Sequence, residues 1–231
     1  MGRVLLTAVL LTPLFLREAA GQDRKKSPPE PKVWMCLKGE LLWAESFAGT
    51  ALPKDWRKGQ GNWEVAAGIL SGAELPADKH PAYVTRKVSD PNVVIQVTFK
   101  LDGAGWLGCS FESVKEHVAG LRLTADLIQL SRITGIGPTT RGTEIDACKT
   151  RLDDGAWHTL VWEICGDEMV ATVDDRDMTL AKVDGLSMER LQLVLNARGQ
   201  WARFKDIKVW KAVQDKAWPQ NKARLKLTLK K

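Results

Sequence analysis

The segment Asn62-Trp63-Glu64-Val65-Ala66-Ala67-Gly68-Ile69-Leu70 restricts the fold more than any other in the chain. An alternating apolar run meets Ala67-Gly68 and is followed at once by a second apolar run. This is the pattern of a β-hairpin in which Gly68 supplies the positive φ of the turn. A similar signal recurs between Trp157 and Asp175. In the run that begins at Asn92, Val93, Ile95, Val97, Phe99 and Leu101 share one face while Gln96, Thr98 and Lys100 share the other. That period of two belongs to a strand and cannot serve a helix.

The same reading places short strands at about Ala82 to Arg86, Asn92 to Leu101, Trp106 to Glu112, His117 to Thr124 and Leu127 to Ile133. Further strands fall at Trp157 to Cys165, Glu168 to Asp174, Met178 to Val183, Leu191 to Asn196 and Trp201 to Trp210. Leu41 to Phe47 opens the set, and a long irregular stretch from Thr134 to Gly155 divides it. No long amphipathic helix is legible. Phe204 and Ile207 are both apolar, which breaks the parity of the last strand and predicts a β-bulge between them. About twelve strands in this order imply an all-β fold, two packed antiparallel sheets forming a sandwich. A length of 231 residues suits one such domain with tails.

Residues 1–21 carry Arg3, an apolar run from Val4 to Leu16 and the small residues Ala19-Ala20-Gly21, the order of a secretory signal peptide. The apolar run is shorter than the roughly 20 residues needed to cross a bilayer, and no later segment is apolar enough for a transmembrane anchor. Residues 22–38, with Pro28-Pro29 and Pro31 among lysines, read as a linker. The sandwich is expected over residues 39–212, followed by a basic tail at 213–231. A secreted or periplasmic protein is the expectation.

The net charge of +6 is concentrated in the termini, because residues 39–210 hold 20 basic and 24 acidic side chains. A nucleic-acid-binding domain carries its basic patch on the fold itself, so nucleic acid is not an expected partner. The tail, in which Leu225, Leu227 and Leu229 alternate with Lys226, Thr228 and Lys230, is read as an unstructured solubilising segment, with an edge strand or contact with an anionic surface as the alternatives.

Cys36, Cys109, Cys148 and Cys165 form an even set that fits either disulfides or buried thiols, and spacing does not choose among the pairings. None forms a Cys-x-x-Cys pair, and the three histidines are far apart, so a tetrahedral zinc site has little support. No Ser-His-Asp order is readable, and Gly135-Ile136-Gly137-Pro138 lacks the Lys and helix of a phosphate-binding loop. No cofactor or metal is expected. Asp174, Asp175 and Asp177 are oxygen ligands in type, but they fit a solvated hairpin tip better than a calcium site. Glu144 and Asp146 begin a Glu-x-Asp-x-Glu pattern that Cys148 interrupts where the final acid would stand.

The best constellation lies on the strand from Trp106. Leu107, Cys109 and Phe111 form its inner face, leaving Trp106, Gly108, Ser110 and Glu112 on the other. An indole beside a hydroxyl and a carboxylate offers a sugar ring an apolar plate and hydrogen-bonding partners. Arg122, flanked by inward Leu121 and Leu123, joins from a neighbouring strand. Trp106, Ser110, Glu112 and Arg122 are therefore the candidate saccharide-binding residues, with a glycan as expected partner.

Trp63-x-Val65-x-x-Gly68-x-Leu70, Trp157-His158 leading to Val173-Asp174-Asp175, and the closing Phe204-Lys205-Asp206-Ile207-Lys208-Val209 resemble the concanavalin-like, laminin-G-like jelly rolls of secreted bacterial proteins. Within that group the chain is most similar to the family named for 3-keto-disaccharide hydrolase activity, over roughly residues 44–212. Where that family usually carries Asn-Ser-Gly and a Tyr-Glu pair, this chain has Gly105-Trp106-Leu107-Gly108 and Glu116-His117-Val118, and Asp174-Asp175 replaces the usual Asp-Gly turn. The resemblance therefore implies a scaffold and an association with glycans, and it carries over no catalytic residue. Three functions are compatible with it: a carbohydrate-binding or glycan-modifying module, a non-catalytic envelope or adhesion scaffold, and a disaccharide hydrolase with displaced acids.

Overall fold

The computed structural model describes residues 30–113, 117–135, 137–153, 155–186 and 192–229. The expected leader at 1–21, residues 22–29 of the expected linker, Glu116, Leu191 and Lys230 fall outside them. The described residues form thirteen strands: β1 (Cys36–Glu45), β2 (Trp56–Lys58), β3 (Asn62–Ala66), β4 (Ile69–Ala73), β5 (Ala82–Lys87), β6 (Val93–Glu112), β7 (His117–Leu123), β8 (Leu127–Thr134), β9 (Arg141–Lys149), β10 (His158–Cys165), β11 (Glu168–Val173), β12 (Asp177–Lys182) and β13 (Gln192–Gln214). One helix follows, α1 (Trp218–Leu229). No helix among these residues is long and apolar enough to cross a membrane.

Every strand pairing is antiparallel, and two long strands organise them. β6 and β13 pair with each other along most of their length. The other edge of β13 is taken in turn by β5, β4 and β1, and the other edge of β6 by β10 and then β7. The result is a front sheet ordered β2–β5–β13–β6–β7–β8–β9 and a back sheet ordered β12–β11–β10–β6–β13–β1, with β4 and β3 beside the middle of β13. The ribbon passes from one sheet to the other at Gly103 (φ 86°) and Gly199 (φ 83°), where the register between β6 and β13 shifts. Only glycine adopts such a φ without strain. Two segments read from the sequence as separate strands on each side of this bend are thus continuous.

Alternation along the strands builds the interior. Leu107, Cys109 and Phe111 of β6 and Leu193, Leu195 and Ala197 of β13 point inward from the front sheet and meet Leu160, Trp162 and Ile164 of β10. Phe111 and Trp162 have ring centroids 5.3 Å apart. The expected hairpin is present, with Ala66 opposite Ile69 and positive φ at both Ala67 (51°) and Gly68 (78°), as a two-residue turn of the twist-matched type requires. The expected bulge is present too. Phe204 and Ile207 are both buried, the register shifts between Lys205 and Lys208, and Asp206 takes φ 49°.

β10 is buried on both faces. Its outward residues Val161 and Cys165 join a second apolar cluster with Met35, Cys36, Val94, Val170, Met178, Trp210 and Trp218. Glu163 stands in the same outward row, fully buried. Its carboxylate accepts the backbone N–H groups of Trp34 (2.9 Å), Met35 (2.8 Å) and Cys36 (2.8 Å). This pins the segment that enters β1. The four cysteines are free thiols. The thiols of Cys36 and Cys165 are hydrogen-bonding neighbours, an interaction that, with burial, pushes Cys36 far above the usual thiol range.

Two expectations require correction. The stretch from Thr134 to Gly155 is not irregular throughout: it contains β9, which pairs with β8. Asp146 of β9 accepts hydrogen bonds from Thr179 Oγ1 (2.5 Å) and the Leu180 N–H (2.9 Å) of β12, tying the front sheet to the back. Residues 218–229 are neither an unstructured segment nor an edge strand; they form α1. Trp218 is 2% exposed, its indole N–H donates to Glu168 Oε2 (2.6 Å), and Lys222 forms an ion pair with the same carboxylate. Burial pushes the Glu168 carboxyl up, but the hydrogen bonds from Lys222 and Trp218 outweigh it and hold the group below the usual range. The apolar alternation of Leu225, Leu227 and Leu229 is thus overridden by the anchoring of Trp218, which sets the helix on the back sheet.

Candidate functional site

The outer face of the front sheet carries a cavity of about 960 Å³ that crosses most of its strands. Strand register turns the sequence pattern into transverse rows of side chains. One row runs Arg57, Thr85, Val194, Ser110, Gly120, Ser131; the next runs Tyr83, Asn196, Gly108, Arg122, Gln129. A third holds Gln192, Glu112 and His117, and at the opposite end Arg198 stands across from Trp106. Gly120 keeps the lining low on β7: a Cβ there would lie 2.4 Å from Ile133 Cδ1, which also lines the cavity.

Trp106, Ser110, Glu112 and Arg122, selected by parity on two strands, all line this one cavity. Trp106 is half-buried, and the Arg122 guanidinium lies 4.8 Å from its ring centroid. Ser110 is 6% exposed and its hydroxyl accepts from Asn196 Nδ2 at 3.3 Å. Glu112 accepts from Gln192 Nε2 and faces His117 Nδ1 at 3.1 Å. The site thus combines an indole plate, a cation stacked against it, amides, hydroxyls and one carboxylate already held by two neighbours.

The acids considered elsewhere are occupied differently. Asp146 serves as the clip to β12 described above, and Glu144 is exposed outside the cavity lining. Asp174 accepts from Thr159 N–H (2.8 Å) and lies 2.8 Å from His158 Nδ1; Asp175 accepts from Lys32 N–H (2.8 Å); Asp177 is held by Arg176 and Thr150. Each carboxylate of that hairpin therefore has a protein partner.

Sequence reasoning missed Arg57, Tyr83, Asn196, Arg198 and Gln192 as cavity residues. Those on β13 were accessible, since Gln192, Asn196 and Arg198 alternate with inward Leu193, Leu195 and Ala197. Arg57 was not, because a three-residue strand has no period to read.

No protein-family model matches the chain, and no curated protein matches it. Solved structures do. The carbohydrate-binding module CBM66 from Bacillus subtilis superposes with a TM-score of 0.55 at 18% identity, covering 68% of this chain and 96% of that one. A laminarinase from Rhodothermus marinus gives 0.54 at 14% identity, covering 75% and 98%. An endo-β-1,3-glucanase from Pyrococcus furiosus gives 0.54 at 12%, covering 76% and 95%. The architecture is therefore that of the antiparallel jelly-roll sandwiches to which these proteins belong. At such identities the likeness is one of fold.

Proposed function

We propose that the protein is a carbohydrate-recognition module that seats an oligosaccharide across the front sheet. The observation that carries this reading is the convergence of Trp106, Ser110, Glu112 and Arg122 on one open cavity. Sugar rings offer an apolar C–H face and a rim of hydroxyls, and the site supplies an aromatic plate with amides and hydroxyls around it. Solved structures of similar fold that include a carbohydrate-binding module and laminarinases support the reading. So does the resemblance to 3-keto-disaccharide hydrolases in Trp63, Gly68 and the Phe204–Val209 segment, which we take as kinship of scaffold.

Recognition is favoured over hydrolysis by the carboxylates. Glycoside cleavage generally takes two acids facing one linkage, one protonated and one ionised. Among the described residues lining the cavity, Glu112 is the one carboxylate, and His117 and Gln192 already hold it. Trp106→Ala is expected to leave the melting temperature nearly unchanged and to weaken saccharide binding by about 1–3 kcal/mol, the range for loss of an aromatic anchor. Thermal unfolding with glycan titration checks both. A normal melt with undiminished binding removes Trp106 from the site.

We further propose that the protein is exported, with residues 1 to about 21 removed. N-terminal sequencing of the accumulated native protein is expected to begin near Gln22. An intact Met1 would exclude export by this route.

A further inference from the structure

The charge of the cavity opposes that of the body around it. Residues 39–210 carry more acidic than basic side chains, yet Arg57, Lys58, Arg122 and Arg198 line the cavity against the single carboxylate of Glu112. Arg198 is compensated by Glu74 at 3.5 Å, and Glu112 is engaged by His117. Arg57, Lys58 and Arg122 pair with no carboxylate among the described residues, and Arg57 and Arg122 are exposed. The cavity therefore offers uncompensated positive charge on a fold whose overall charge is of the other sign.

We propose that the occupant is an acidic oligosaccharide, one bearing carboxylate or sulfate groups on separate sugar residues; this rests on the saccharide reading above. The spacing of the cations supports a chain rather than a single sugar. Arg57 on β2 and Arg122 on β7 are separated by four strand spacings through β5, β13 and β6, about 19 Å at about 4.8 Å each. A guanidinium presents a planar fork of donors that matches a carboxylate or sulfate through two parallel hydrogen bonds. Arg122 also stacks against Trp106, so the sugar that packs on the indole edge meets a cation at its rim. Between the two arginines the lining is uncharged: Thr85, Val194, Ser110 and Gly120 form the floor over which the neutral part of the chain would run.

The test is titration calorimetry on the mature chain with matched pairs: an oligogalacturonate and its carboxyl-reduced counterpart, and a sulfated galactan and its desulfated counterpart, each at low and high salt. The charged member of at least one pair is expected to bind about tenfold tighter or more, since hydrogen bonds to charged groups carry that much net energy, and its affinity should fall as salt rises. The pair that shows the difference tells carboxylate from sulfate. Arg57→Gln and Arg122→Gln should each remove most of that preference, read as the ratio of charged to uncharged affinity, and Lys208→Gln on the back sheet should leave both affinities unchanged. Equal binding of charged and uncharged members would overturn the acidic assignment and leave the saccharide reading standing. Failure of all four probes to bind would overturn both.

Discussion

Replacing Glu163 with alanine is expected to lower the melting temperature by at least about 6–12 °C, because it strands three N–H donors at no less than about 1 kcal/mol each and at this chain length about 1 kcal/mol is worth about 2–4 °C. The cost arises where the chain enters the fold. Glu163 accepts the backbone N–H groups of Trp34, Met35 and Cys36, and Met35 and Cys36 are themselves buried. Without the carboxylate these donors must either stay unpaired inside the second apolar cluster or pull β1 away from β10. Glu163→Gln is the milder variant: one amide oxygen can keep Met35 and Cys36, which share Oε2, while the Trp34 N–H loses its partner.

The same residue sets a pH dependence. Burial pushes the Glu163 carboxyl above its free value of 4.5, against the lowering effect of the Trp34, Cys36 and Met35 N–H groups and of Lys38. The folded state therefore holds a proton that the unfolded chain releases, and the group's contribution is complete below the free value and lost as pH rises through the raised one. The stability of the native protein relative to Glu163→Gln should decline across that interval. A pH-independent difference between the two would remove this assignment, and an unchanged melt in Glu163→Ala would show that the entry segment is not pinned by this carboxylate.

What the sequence disclosed follows from where each strand faces. β3, β4, β10 and β11 each bury at least one face, so their apolar residues recur at the spacing of a strand and mark them directly. β9 is different: residues 141–145 are all exposed and the rest of the strand, apart from exposed Lys149, is half-buried, so no apolar period distinguishes it from a loop. β6 and β13 were divided because Asp102-Gly103 and Gly199-Gln200 have the composition of turns, whereas here the chain bends and continues. The tail misled in the opposite way, since alternating leucines describe a strand only if some edge receives them, and Trp218 commits the segment to a helix. Parity alone placed Trp106, Ser110 and Glu112 together. Register was needed to bring Arg57 and Tyr83 to the same cavity, because cross-strand neighbours far apart in sequence leave no local pattern.

Phe111 links the packing of the two sheets to the cavity. Its ring points inward from β6, against Trp162 of β10, while its sequence neighbours Ser110 and Glu112 point outward into the site. Phe111→Ala removes a fully buried ring and is expected to cost about 3–5 kcal/mol of stability. Phe111→Leu keeps most of the apolar volume and forfeits the ring–ring contact, which is worth about 0.5–1.5 kcal/mol beyond area burial. Denaturant unfolding should give the alanine variant a lower midpoint with an unchanged slope, the mark of lost stability without a change in the surface exposed. Saccharide titration adds the functional half. The void beneath β6 loosens the strand that holds Ser110 and Glu112, so binding should weaken in Phe111→Ala and persist in Phe111→Leu. Equal stability of native protein and alanine variant would show that the sheets are not packed together at this point. Loss of binding in the leucine variant at full stability would mean that the ring itself, rather than the support it gives the cavity floor, matters to the site.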